Sequence, residues 1–180
     1  MHPLFRVIPI ALIFAACGSG DKPASAAAGA SVPDAPDTLP YPFKASYSAD
    51  WKAPGNADNA HRVMIVWKMF ETANIQAMKP YFADTVTYDD ASGMHFHGAA
   101  AALLAFAKKD IEGLDSMRFD ISRWESVHSN DRDEDWVNIW SAERRYPRGG
   151  KPDTVLMQEN WQVKDGKVVY FDQYLKKLPK

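Results

Sequence analysis

The chain has 180 residues, of which 46% are hydrophobic, 12% aromatic and 24% charged, with 21 Lys and Arg against 23 Asp and Glu. That composition is globular, and a formal net charge of −2 leaves no basic field to drive nucleic-acid binding by phosphate neutralisation. A single cysteine excludes an internal disulfide framework and a multi-cysteine metal site, and no apolar run reaches the ~20 residues of a membrane-spanning helix.

The N-terminus carries one clear positive charge at Arg6, then a ten-residue apolar stretch from Val7 to Ala16 that ends in small residues before Cys17. A cationic start, a short apolar stretch and small residues at the cut site predict a secretory signal peptide over 1–16. Ala15-Ala16-Cys17 resembles the bacterial lipobox, with Phe14 where leucine is usual. The resemblance implies lipidation of Cys17 and an exported, membrane-anchored lipoprotein of the cell envelope. The alternative is an ordinary secretory cut nearby that leaves a thiol. From Cys17 to Pro40, 16 of 24 residues are Ala, Gly, Ser or Pro and none is aromatic. Residues 17–50 are therefore expected to form a flexible tether, with Tyr41, Phe43, Tyr47 and Trp51 able to lie against the domain that follows. All six tryptophans stand at or after Trp51, which places the folded domain at 51–180.

Asp58 is an N-cap candidate, and Val63, Val66, Trp67 and Phe70 then form one apolar helix face. Ile75 to Phe82 predicts a second short helix with Pro80 at an irregular turn. Thr85 to Tyr88 has strand composition, Ala91-Ser92-Gly93 predicts a turn, and Gly98 opens a third helix running to about Gly113. Beyond Leu114 the period changes to two: Trp136, Asn138 and Trp140 alternate with Val137 and Ile139, and Val155, Met157, Glu159, Trp161 and Val163 share one side of the next strand. Asp165-Gly166 marks a two-residue hairpin turn. Helices first and long antiparallel strands afterwards predict an α+β domain.

The segments Phe82 to Asp89, Phe96-His97-Gly98, Asp135-Trp136-Val137 and Trp161 to Val168 resemble the nuclear transport factor 2-like superfamily, and within it the polyketide-cyclase-like (SnoaL-like) branch. The resemblance implies a cone: a curved, mainly antiparallel sheet wrapped around three N-terminal helices, with a pocket inside. It also implies a homodimer as a common state, and no cofactor.

In the ketosteroid isomerases of this superfamily a similar segment ends in the proton-abstracting carboxylate, and its ungapped placement on Phe82 to Asp90 puts Asp90 at that position. A carboxylate suits the role when an apolar pocket raises its pKa. The same placement puts Val66, which donates no hydrogen bond, where those enzymes have an oxyanion-stabilising tyrosine. Their second acid falls near Glu159. A carboxylate among apolar residues on an inward face must be paired, protonated or functional, and Arg144 on the neighbouring strand is a candidate partner. Trp136, Trp140 and Trp161, with Tyr88, Asp172 and Tyr174, are candidate ligand-binding residues. Core packing for the tryptophans, and surface placement for the other polar groups, are the plain alternatives. His95 and His97 point to one side of their strand; Phe96 between them is expected inside, which turns both histidines outward, so no metal site is predicted. Arg144, Arg145, Arg148 and Lys151 form a possible basic patch too small for nucleic acid.

Three functions remain open on these residues. One is a module that binds a small apolar or amphipathic molecule. The second is a cofactor-independent cyclase, isomerase or dehydratase with Asp90 as base and Glu159 or a histidine as acid. The third is a homodimeric interaction domain.

Overall fold

Helix α1 spans Ala57–Glu71 in the computed structural model, which describes residues 41–178. The leader 1–16, Cys17 and the tether as far as residue 40 lie outside the described residues. The helix starts two residues earlier than an Asp58 cap implies, because the Asn56 side chain accepts the Asp58 N–H at 3.0 Å and is itself the cap. Asp58 falls in the first turn, where a carboxylate is favoured by the helix dipole. A seven-residue 3-10 segment follows at Ile75–Tyr81 and contains Pro80. Helix α2 covers Ala100–Ile111.

Seven strands complete the described fold: β1 at Trp51–Lys52, β2 at Phe82–Asp89, β3 at His95–Ala99, β4 at Leu114–Ser129, β5 at Glu134–Pro147, β6 at Asp153–Lys164 and β7 at Lys167–Lys177. The third helix predicted from Gly98 thus begins two residues later, since Gly98 and Ala99 still belong to β3 and pair with Val86 and Thr85. A side chain on Gly98 would stand 3.1 Å from Phe96 Cζ, so the glycine lets the Phe96 ring fold back along its own strand.

The strands form one sheet in the order β1-β4-β5-β6-β7-β2-β3. Only β2 and β7 run parallel; the other neighbouring pairs are antiparallel. Asp165 and Gly166 take φ of +52° and +72° in the β6–β7 turn, the left-handed pair that a two-residue hairpin needs to match strand twist. Register shifts in the β4–β5 pairing near Leu114 and Ile121, and in the β6–β7 pairing at Gln162, bend the long strands.

The curved sheet holds both helices and the 3-10 segment on one face. Val63, Val66 and Trp67 of α1, Met78 of the 3-10 segment and Leu104 of α2 pack with Val137, Ile139 and Trp161 of the sheet. Val63, Val66, Val137 and Ile139 are essentially sealed from solvent, each contributing roughly 1.5–3 kcal/mol of apolar burial.

Tyr47, ahead of β1, and Trp51, its first residue, turn their rings edge-on to Trp136 at 5.8 and 6.5 Å. Ser48 and the Ala49 N–H bind the Asp131 carboxylate. Tyr41 and Phe43 remain almost fully exposed. Contact with the domain therefore begins at Tyr47 on the described segment.

Candidate active site

Strand alternation decides which side chains meet. On β5, Val137, Ile139, Ser141, Glu143 and Arg145 face the helices, while Trp136, Asn138 and Trp140 face away. Val137 pairs with Trp161, Ile139 with Glu159 and Ser141 with Met157. Glu159 in turn pairs with Gln173, and Trp161 with Phe171. The inner face thus carries a polar strip, Glu143, Arg145, Glu159 and Gln173, inside an otherwise apolar lining.

That strip borders a cavity of about 260 Å³ between the sheet and the helices. This is slightly below the about 300–1,000 Å³ of common small-molecule sites, so the cavity has room only for a small molecule. Its apolar wall includes Val66, Phe70, Met78, Leu104, Phe119 and Met157. Trp161 and Phe171 stack at 4.4 Å with an interplanar angle of 7°, and Tyr88 stacks on the other flank of Phe171 at 4.3 Å. Three aromatic rings in series hold the wall rigid beside the polar groups.

Glu159 is 5% exposed. Its two carboxyl oxygens accept hydrogen bonds from Trp161 Nε1 at 2.9 Å and Gln173 Nε2 at 2.7 Å. Gln173 Oε1 accepts the Tyr88 hydroxyl at 3.5 Å, so Tyr88, Gln173 and Glu159 form a chain. Burial dominates the electrostatics and pushes the Glu159 carboxyl up to about 7, against the two hydrogen bonds that favour its anion. Glu159 therefore exchanges a proton near neutral pH.

Asp90 sits across the cavity lining, just after β2. Its Oδ1 accepts three hydrogen bonds: from Ser92 N–H at 2.7 Å, the Ser92 hydroxyl at 2.7 Å and Met94 N–H at 2.9 Å. Desolvation pushes this carboxyl up, but those donors together outweigh it and hold Asp90 below the usual carboxylate range. Asp90 is an anchored anion at neutral pH; the raised pKa that the sequence reading asked of a base is not found, because the donors of its own turn outweigh desolvation, which makes it a weaker base.

A third acidic group lies at the far end of the strip. Glu143 is 3% exposed and accepts from Arg145 Nε at 2.8 Å. Arg145 reaches on to Asp110 of α2 with both terminal nitrogens, at 3.0 and 3.2 Å. Desolvation raises Glu143 more than Arg145 lowers it.

The sequence candidates separate into two groups. Asp90, Glu159, Trp161 and Tyr88 border one cavity. Trp136, Trp140, Asp172 and Tyr174 do not, because Trp136 pairs with Gln162 and Trp140 with Gln158, on the sheet face opposite Trp161; this register corrects the grouping of Trp136 and Trp140 with Trp161 as candidate ligand-binding residues. Tyr174 pairs with Gln158 on that outer face. Arg144, expected beside Glu159, points outward to Asp120 at 2.7 Å. The expected basic patch dissolves into ion pairs, since Arg145 is taken by Glu143 and Asp110 and Arg148 faces Asp115.

Phe96 packs against the core while His95 and His97 are exposed, bound to Asp89 and Thr87. Among the described residues no group of three or more His, Cys, Asp or Glu is placed to hold a metal. Glu143, Arg145, Asp110 and Gln173 were not singled out as site residues by the sequence reading; the inward alternation of β5 was the signal that would have found the first two.

Residues 66–171 match the SnoaL-like domain family. The chain belongs to that family. Its fold is shared with several solved structures of low identity. One is an LEH-like epoxide hydrolase from Mycobacterium tuberculosis, at 11% identity and a TM-score of 0.56, covering 66% of this chain and 83% of that one. A provisional SnoaL-like polyketide cyclase from Shewanella denitrificans matches at 11% identity and a TM-score of 0.56, covering 67% and 92%. A nuclear transport factor 2-like protein of unknown function from Exiguobacterium matches at 15% identity and a TM-score of 0.55, covering 65% and 99%. A comparison with curated proteins gave no match. The SnoaL-like cone houses both ligand carriers and isomerase- or cyclase-type enzymes, so the site must decide between them.

Proposed function

We propose that the domain takes one small, largely apolar molecule into the cone and transfers protons on it without a cofactor, Glu159 acting as acid and Asp90 as base. The observation that carries this reading is the opposed tuning of two carboxyls on one cavity: Glu159 is raised to about 7 and Asp90 is held low. Environments that push two acids apart are how a single fold assigns acid and base roles at neutral pH.

In the reaction that fits, Asp90 accepts a proton from carbon beside a carbonyl. The C–H electron pair moves into the carbonyl, and the oxygen takes the Glu159 proton. Reprotonation at another carbon, or loss of a leaving group, then gives isomerisation, cyclisation or dehydration. Epoxide opening, the activity named for the Mycobacterium structure, would use the same pair, with a water deprotonated by Asp90 as nucleophile.

The test uses 5-nitrobenzisoxazole: a base removes its carbon-bound proton, the C–H electron pair forms the nitrile as the N–O bond breaks, and the departing phenoxide is stabilised by a hydrogen-bond donor such as protonated Glu159. The full-length protein should open it at a rate that Asp90→Asn lowers by about 10²–10⁴, the usual worth of a positioned base. Glu159→Gln should remove the decline of the rate above neutral pH. Wild-type rates in both variants would sink the proposal.

A second reading, binding without turnover, draws on Val66 at the oxyanion position and on the two donors that already satisfy Glu159. It predicts that the same probe binds and is recovered intact.

We also propose export and lipid attachment at Cys17. Cys17→Ser should move the protein from the membrane fraction to the soluble one, and continued sedimentation with membranes would overturn that placement.

A further inference from the structure

Proton abstraction beside a carbonyl builds negative charge on the carbonyl oxygen, and Glu159 offers that oxygen a single donor. Removing one donor from such a site typically costs about 10²–10³ in rate, so a second donor on the cavity decides how fast the reaction runs. Val66 supplies none. Besides the acids, five side chains of the lining carry N–H or O–H groups: Trp67, Tyr88, Arg145, Trp161 and Gln173.

Three of the five are committed. Trp161 Nε1 and Gln173 Nε2 both donate to Glu159. The Arg145 guanidinium has all three nitrogens engaged, Nε on Glu143 and the other two on Asp110. Trp67 Nε1 has no partner among the described residues, but the atom itself is sealed, and its indole packs on Phe119 with ring centres 4.5 Å apart. A guest in the cavity reaches that N–H only if the packing of α1 changes.

Tyr88 is left. Among the described residues its hydroxyl has one hydrogen bond, to Gln173 Oε1 at 3.5 Å, which is at the weak limit for such a bond. The ring is held by its stack on Phe171, at 4.3 Å and 21°, while the O–H can rotate toward a better acceptor. One amide joins this hydroxyl to the acid, because Gln173 presents its oxygen to Tyr88 and its nitrogen to Glu159. Tyr88 and Asp90 both border the cavity and stand two residues apart in the chain, about 7 Å along a strand. A carbonyl group and its neighbouring carbon span that interval, with the carbon ~3 Å from Asp90 and the oxygen ~3 Å from Tyr88. Burial and the carboxylates of Glu159, Asp90 and Asp110 push the Tyr88 phenol up, against Arg145. The hydroxyl therefore keeps its proton and serves as a donor throughout.

We infer that the Tyr88 hydroxyl is the second hydrogen-bond donor to the substrate's carbonyl oxygen, beside Glu159. The end of β2 then carries both the base and a group that stabilises the charge the base creates. This assignment rests on the proton transfer proposed above, and it narrows the substrate to a neutral ketone or aldehyde. A carboxylic acid is disfavoured, since Asp90 and Asp110 repel its anion.

The test is Tyr88→Phe in the full-length protein, which keeps the ring and its stack and removes only the hydroxyl. The kcat for 5-nitrobenzisoxazole should fall by about 10². The pH at which the rate declines should stay where it was, because Glu159 keeps both of its donors; a tyrosine that only oriented Gln173 would move that pH instead. Binding of 4-nitrophenol is measured separately in the Asp90→Asn background, whose neutral amide stands for the protonated base. Adding Tyr88→Phe there should weaken binding about ten- to a hundredfold, the worth of a hydrogen bond to a charged oxygen. It should also lower the ionised fraction of the bound phenol, read from its absorbance.

Turnover that Asp90→Asn abolishes and Tyr88→Phe leaves unchanged would overturn the assignment and leave the base in place. Absence of turnover in the wild-type protein would count against the proton-transfer reading alone, and the phenol titration then decides for Tyr88. Equal affinity with and without its hydroxyl, or no binding in either case, overturns the assignment. A loss of affinity confined to Trp67→Phe would move the donor to α1 and overturn it as well.

Discussion

The sharpest consequence of the inner site concerns stability against pH. Glu159 titrates at about 7 in the folded chain and at 4.5 when unperturbed. Between those values the folded state keeps a proton that the unfolded state has released, so stability falls as pH rises. The gap of about 2.5, at about 1.36 kcal/mol per pH unit, gives a loss on the order of 3 kcal/mol that is complete somewhat above pH 7. Glu143 and Asp172 are also raised by burial and slope the same way. Asp89, Asp90 and Asp131 are lowered, and their contribution is lost only as pH drops below the ordinary carboxylate range.

Glu159→Gln isolates the one group. Its amide oxygen still accepts from Trp161, and Gln173 can turn its own oxygen to the new NH₂ while its amide meets the Tyr88 oxygen. The network therefore closes again at little cost. Urea unfolding between pH 5 and 8 should show the wild-type curve dropping relative to the variant by an amount on the order of 3 kcal/mol. Parallel curves for the two proteins would refute the assignment of a neutral-range proton to Glu159, and with it the acid of the proposed mechanism.

Three further outcomes follow from packing and pairing. Arg145→Met leaves the buried Glu143 without its cation and should cost about 3 kcal/mol in chemical denaturation, toward the low end for a broken buried pair because Arg145 is partly exposed. Gly55→Ala would set a methyl group 2.7 Å from the Val127 carbonyl carbon and 2.9 Å from its nitrogen. Backbone cannot yield as a side chain can, so a loss of about 1–3 kcal/mol and a lowered Tm are expected. Asp90→Asn keeps an oxygen for Ser92 and Met94 and should move stability by less than about 1 kcal/mol, so its kinetic effect reads the site and not the fold.

Local chemistry was legible and register was not. Glu159 stood out because Met157 and Trp161 share its alternation, a pattern contained in one strand. Asp90 was marked by the resemblance of Phe82 to Asp90 to the ketosteroid-isomerase segment, and Ala91-Ser92-Gly93 adds only where β2 ends. Trp136 and Trp140 were joined to Trp161 because nothing within either strand states which of its two faces the partner strand shares. Pairing Val137 with Trp161 settles that, and a shift of one residue would exchange the faces. The cluster Glu143, Arg145 and Asp110 escaped for a related reason. Glu143-Arg144-Arg145 reads as a solvated charge run until two of its three members turn inward and meet a helix carboxylate 33 residues earlier than Glu143. Both helix starts moved by two residues because Asn56, and not Asp58, caps α1, and because Gly98 serves a strand.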